Sequence, residues 1–273
     1  MNNGLFEDDD LIRVVAREGI LIAAGGAASL LQTAHPKVAQ GVYDHSYTAE
    51  DPLGRLRGTM QWVYAVSWGT REEAETLSAI VTRMHGKVTG PGYQANDPEL
   101  QVWVAATLFA TGVHIYELLF RKLDDAELAA YYEQSKVFAT ILGCPEEMLP
   151  ATYADFRVYY ADMLNTLKIS DASRAVADQV LHPTALPWHL RGGLPAIRLI
   201  TAGLMPEPIR RQYGWRWSPL RQARFMLLMR TLAVVYPRLP MRVRTLPRDY
   251  YLHEMRKRFA ARRRPSHGAA QAG

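Results

Sequence analysis

The chain has 273 residues, 48% hydrophobic and 22% charged, the balance of a folded globular protein with a sizeable core. A single cysteine, Cys144, excludes an intramolecular disulfide and any zinc site built on paired cysteines. The net charge of +5 is unevenly spread: residues 1–190 hold 14 Lys/Arg against 24 Asp/Glu, a net of −10, while residues 191–273 hold 18 against 3, a net of +15. That split is read in one of two ways, as two parts of one domain attracting each other or as peripheral contact with an anionic surface such as a membrane. No DNA- or RNA-binding motif accompanies the basic part, so nucleic acid is not expected.

The acidic start "MNNGLFEDDD" lacks the charged-then-apolar layout of a signal peptide, which makes a cytoplasmic location the expectation. The run "LIAAGGAASLLQTA" is too short to span a bilayer, and "VWVAATLFATGVHIYELLF" carries His114 and Glu117, which hydrocarbon penalises. The latter is expected as a central core helix.

Nearly every segment reads as helix. Asp51 and Pro52 open one that Gly69 stops. Thr70 and Glu73 form a capping box for the next. Asp97, Pro98 and Glu99 open the long apolar helix through about Arg121, and Asp124 with Glu127 caps one that runs to Gly143, with Pro145 beyond it. Thr152 with Asp155, and then Ser170, precede two more. Pro/Gly clusters at 183–195 and 203–219 divide the C-terminal third into shorter helices. Alternating patterns of useful length for strands are missing. The expected fold is all-α, a multi-helix bundle in a single domain over residues 10–263, with a flexible segment at 1–9 and a disordered tail at 264–273.

Two helices bring chemistry inward. In "REEAETLSAIVTRMHGKV", residues Ala74, Leu77, Val81, Met84, His85 and Val88 share a stripe at three- and four-residue spacing. His85 is then either a hydrogen-bonded core residue or a ligand. One helix earlier, Arg55 and Thr59 share a face with Trp62, Val63 and Val66. An arginine on an apolar face requires an anion, because an unpaired buried guanidinium is very costly. A core carboxylate, a haem propionate or an anionic oxygen species would serve. An all-α bundle with an inward histidine and a counter-charge suits a haem pocket, imidazole being the common proximal ligand. His114 and Glu117 sit one turn apart, but no second Glu-x-x-His helix completes a diiron pattern. His35 and His45 lie between helices, where they either shape a pocket or satisfy loop backbone.

The run from His35 to Leu108, with "HPKVAQGV", "DHS", "RLRGT", "MHGKVTG" and "YQANDPELQVW" in that order, resembles the catalytic domain shared by latex-clearing rubber oxygenases and the fungal mycophenolic-acid pathway oxygenase. The similarity extends over about residues 10–245. The resemblance implies a haem b protein that uses dioxygen to cleave a carbon–carbon double bond in an unsaturated hydrophobic, isoprenoid or lipid-like, substrate. By position, His85 matches the axial ligand of the haem iron, and Arg55 and Thr59 match the arginine and threonine near the haem. The chain departs from the pattern at Gly58, where latex-clearing enzymes have a lysine able to reach the distal side, and at Ala105, where many relatives have histidine. The glutamate base of latex-clearing proteins has no matching position; Asp44 and His45 lie in the corresponding region and are the candidates for its role. The helices at 52–69, 71–88 and 98–121 are expected to line an apolar substrate pocket.

Overall fold

A computed structural model of the chain describes residues 3–45 and 51–263; the tail at 264–273 lies outside the described residues. The fold is all-α. The helices in chain order are α1 (Leu11–Ala16), α2 (Gly25–Gln32), α3 (Pro36–His45), α4 (Pro52–Trp68) and α5 (Arg71–His85). They continue with α6 (Pro98–Leu119), α7 (Asp125–Ser135), α8 (Val137–Thr140), α9 (Tyr153–Thr166) and α10 (Asp171–Leu181). The C-terminal part holds α11 (Leu194–Leu204), α12 (Glu207–Gln212), α13 (Pro219–Val235), α14 (Met241–Arg244) and α15 (Leu246–Arg263). The strands described are β1 (Thr89–Gly90) and β2 (Tyr93–Gln94), an antiparallel two-residue ribbon turned by Gly92 at φ 81°.

Local chemistry sets the helix starts. Thr70–Glu73, Asp124–Glu127 and Thr152–Asp155 close as capping boxes, and Ser170 pairs with Ser173 in the same way. Asp51 accepts from the Gly54 amide at 2.8 Å, and Asp97 from the Glu99 amide at 3.0 Å. One expected helix is broken: the stretch from Asp124 to Gly143 stops at Ser135 and restarts as α8. Ser135 Oγ donates back to Tyr131 O at 2.7 Å, and the Lys136 amide is shared between the carbonyls of Tyr132 and Glu133, which tightens the turn there.

The helix α6 is long and apolar enough to cross a membrane by length and composition. It serves as the axle of the bundle, with Trp103, Thr107, Phe109, Ile115 and Leu119 all buried. Phe109 lies at the centre of an aromatic cluster, edge-on to Phe156 at 4.9 Å and to Tyr132 at 5.4 Å. Further along, Ile115 and Leu119 pack with Ile200 and Leu204 of α11 and Phe225 and Met229 of α13. The helices α11 and α13 cross closely at Gly203, where a Cβ would stand 2.3 Å from the Phe225 ring.

The C-terminal third is tied to the rest partly by charge. Arg244 makes a two-pronged ion pair with Glu18, which is only 1% exposed, and Arg256 of α15 pairs with Glu73 of α5 at 2.7 Å. Burial alone would raise the Glu73 pKa; the hydrogen bonds from Arg256 and the Thr70 amide hold it below the usual carboxylate value instead. α15 also lays Leu252 and Met255 against Tyr64 and Ala65 of α4. At the other end, Asn3 O accepts from the Arg71 amide, and buried Arg13 reaches Asp8 and the Ser67 carbonyl.

Candidate active site

The α4–α5 pair carries the residues of interest. Its register is set by a buried hydrogen bond, Trp62 Nε1 donating to Ser78 Oγ at 3.0 Å. The inward stripe of α5 is Ala74, Leu77, Ser78 and Val81, with His85 on the same side at the last helical residue. Met84, expected on that stripe, is 54% exposed. At about 100° per residue Met84 falls on one edge of the stripe and Ser78 on the other, and it is Ser78's edge, which has no apolar side chain to announce it, that is covered. Val88 lies past the helix end and is half-buried.

His85 is half-buried, and its Nδ1 is a fully buried atom with no hydrogen-bond partner among the described residues. Desolvation, aided by the nearby positive charge of Arg55, pulls its pKa below the ordinary imidazole value. The ring is therefore neutral at pH 7, the form that offers a lone pair. Around it, the C-terminal turn of α5 is pinned at Thr82, whose carbonyl accepts from Asn96 Nδ2 at 3.1 Å and whose Oγ1 donates to Leu142 O at 3.4 Å, a carbonyl that also accepts from Gln101 Nε2 at 3.4 Å. Asn96 Oδ1 and Gln101 Oε1 are buried without partners among the described residues. Buried polar atoms are ordinarily hydrogen-bonded, to protein, to ordered water or to a bound group. Asn96 and Gln101 lie inside the "YQANDPELQVW" stretch that carries part of the family resemblance, but the sequence alone assigns neither a role.

Arg55 lies near enough for its positive charge to contribute to the lowered His85 pKa. Thr59 departs from the expectation that it faces inward. The face of α4 that buries Trp62 and Val66 opens one and two turns earlier, leaving Arg55 half-buried and Gly58 and Thr59 exposed. No described heavy atom stands within 4 Å of a Cβ built on Gly58, so this part of the helix borders open space. Thr59 Oγ1 donates to Arg55 O at 3.2 Å.

Asp44 and His45 belong to a separate network. Tyr93 Oη donates to Asp44 Oδ2 at 2.6 Å, Gln40 Nε2 donates to Asp44 Oδ1 at 2.9 Å, and His45 Nε2 lies 3.1 Å from Tyr93 Oη and 3.2 Å from Thr89 O. These bonds clamp the end of α3 to the β-ribbon. The Tyr93 bond, with the one from Gln40, lowers the Asp44 pKa; in return, the bond to Asp44 and burial push the Tyr93 hydroxyl up to about 12. Tyr93→Phe should therefore raise the Asp44 pKa toward the ordinary carboxylate value, read from a carboxyl NMR titration. An unchanged Asp44 titration would contradict this account of the clamp.

The remaining histidines divide in the same way. Glu117 accepts from Lys122 Nζ at 2.6 Å and the Leu123 amide at 3.1 Å, closing the loop after α6. His114 is exposed, although desolvation still lowers its pKa. The Lys37 amide donates to His35 Nδ1 at 3.3 Å, and burial followed by the charge of Lys37 lowers that imidazole's pKa. Among the described residues, no group of three or more His, Cys, Asp and Glu side chains is placed to hold a bare metal ion. A recess of about 330 Å³ opens at the opposite end of α5 from His85, between Thr70, Glu73 and Thr76 and the α15 residues Arg256 and Phe259.

Two uncharacterized mycobacterial proteins, from Mycobacterium bovis and Mycobacterium tuberculosis, are each 30% identical to this chain over 245 residues, covering 86% of it and 96% of their own length. No solved structure matches it. Residues 12–234, which include α1 to α13 almost entirely, match the family described as the ER-bound oxygenase mpaB/B' and rubber oxygenase catalytic domain. The chain belongs to this oxygenase family.

Proposed function

We propose that the protein is a haem b-dependent oxygenase acting with dioxygen on an unsaturated hydrophobic, isoprenoid or lipid-like, substrate, by oxidative cleavage of a carbon–carbon double bond. Membership of an oxygenase family supports the reaction type. The observation that carries the haem is His85: a neutral, half-buried imidazole with an orphaned nitrogen, electrostatically coupled to Arg55, on a helix end pinned in place.

The residues present fit such a group in their chemistry. His85 would supply the axial nitrogen, and Arg55 a cation for a propionate or for negative charge developing on oxygen. When bound, haem supplies the dioxygen chemistry. The protein's share is to hold and orient. The capping box at Thr70 and the Trp62–Ser78 bond fix α5 against α4, so that Arg55 and His85 keep their spacing. Gly58 contributes no side chain, so α4 provides no ligand from that position and leaves its face open. Thr59, one residue on, offers a hydroxyl that rotates between Arg55 O and whatever occupies the open space.

The test is oxygen uptake by the reduced protein when it is offered an unsaturated isoprenoid. The expected result is consumption that depends on the alkene, with carbonyl products by mass spectrometry. A haem-containing protein without turnover on any unsaturated chain would overturn the oxygenase reading in favour of haem binding alone. Thr59→Ala should slow uptake by roughly tenfold or more at unchanged haem content, the scale expected for loss of one positioned donor. Equal rates in the two proteins would remove the threonine from the chemistry.

A further inference from the structure

The helix α13 has an outer face that water does not explain. It buries Phe225 and Met229 against α6 and α11. At about 100° per residue, Leu220, Leu227 and Val234 fall within roughly 40° of each other on the opposite side. They are 59%, 67% and 55% exposed. A helix on the surface of a soluble bundle ordinarily presents polar residues there. The apolar surface continues past the helix end through Val235, Leu239, Met241 and Leu246, each at least 36% exposed. So many large apolar side chains left exposed on one helix face and in the segment that follows it mark a contact surface.

Charge states what the contact is with. From Pro208 to Arg248 the chain has ten arginines and no Asp or Glu. Arg221, Arg224, Arg230, Arg238 and Arg242 are all exposed, and none has a carboxylate partner among the described residues. Arg224 and Arg230 flank the Leu227 ridge on its two sides. Elsewhere in the same third, Arg244 and Arg256 do find acidic partners, so the lack on this face is local. A two-fold contact between copies would set this uniformly positive surface against itself. A duplex nucleic acid would meet the arginines but leave the leucine and valine ridge without a partner. An anionic lipid surface satisfies both: headgroups take the guanidinium groups, and the acyl boundary takes the ridge.

We propose that the outer face of α13, with the segment that follows it through Leu246, is a docking surface for an anionic phospholipid bilayer. The inference goes beyond the oxygenase reading and stands without it, because vesicle binding is read without haem or turnover. The full chain is sedimented with phosphatidylcholine vesicles, with and without phosphatidylglycerol, at low and high salt. Binding is expected only to the vesicles that contain phosphatidylglycerol, and weaker at high salt. Replacing Arg224, Arg230 or Arg238 by Gln should weaken it about fivefold each. The triple variant Leu220→Ser, Leu227→Ser, Val234→Ser should weaken it more than about tenfold with unchanged circular dichroism, since all three are outward-facing. Failure of the wild-type chain to bind these vesicles would overturn the proposal. So would full binding by the triple serine variant, which reduces the contact to generic charge. A dimer in light scattering that the serine variant splits, with no vesicle binding by the wild type, would assign the face to a second copy instead.

Discussion

His85→Ala should fall from roughly one haem per chain to under about a tenth, with the helices intact by circular dichroism. The fold tolerates the change because the ring's Nδ1 has no hydrogen-bond partner among the described residues and the ring sits at the last residue of α5, and because the capping box, the Trp62–Ser78 bond and the Asn96 bond to Thr82 all remain. Free imidazole added to the variant should restore part of the haem, since it refills the space of the deleted ring. Unchanged haem content in the variant would remove His85 as the ligand. Haem lost together with helicity would show only that the ring supports the fold.

The second large effect is on stability. Trp103 is fully buried on α6, stacks on Tyr160 with centroids 6.0 Å apart, and donates its indole N–H to Gln32 O at 3.1 Å. Trp103→Ala leaves a large cavity and removes one of the two hydrogen bonds to the Gln32 carbonyl, which keeps the one from the His35 amide, costing about 3–5 kcal/mol. For a chain of this size that lowers the melting temperature by roughly 10 °C. A drop of under about 3 °C would mean that α6 is not the axle of the core.

What was legible in the sequence was local. The starts of α4, α5, α6, α7, α9 and α10 follow from side chains within three residues of the helix they cap, so reading order sufficed. Helical periodicity places His85 on the same side of α5 as Ala74 and Val81, because it holds within one element. The misplaced residues have a common cause. Met84 and Thr59 lie on faces whose inner or outer character depends on what distant elements cover, and periodicity carries no information on cover. The docking of α15 on α4, about 190 residues away in the chain, was visible only as an imbalance of charge; the Glu73–Arg256 and Glu18–Arg244 pairs give that imbalance its partners. The burial of Asn96 and Gln101 was not legible, since a buried Asn or Gln has no signature of its own; both were visible only as letters of the "YQANDPELQVW" stretch.

The central claim is that the end of α5 holds an iron porphyrin through one imidazole nitrogen. The most direct test is the haem content and absorption spectrum of the full chain produced with haem available. A Soret band with roughly one haem per chain is the expected result. Colourless protein that takes up no hemin on reconstitution, while its helices are intact, would contradict it.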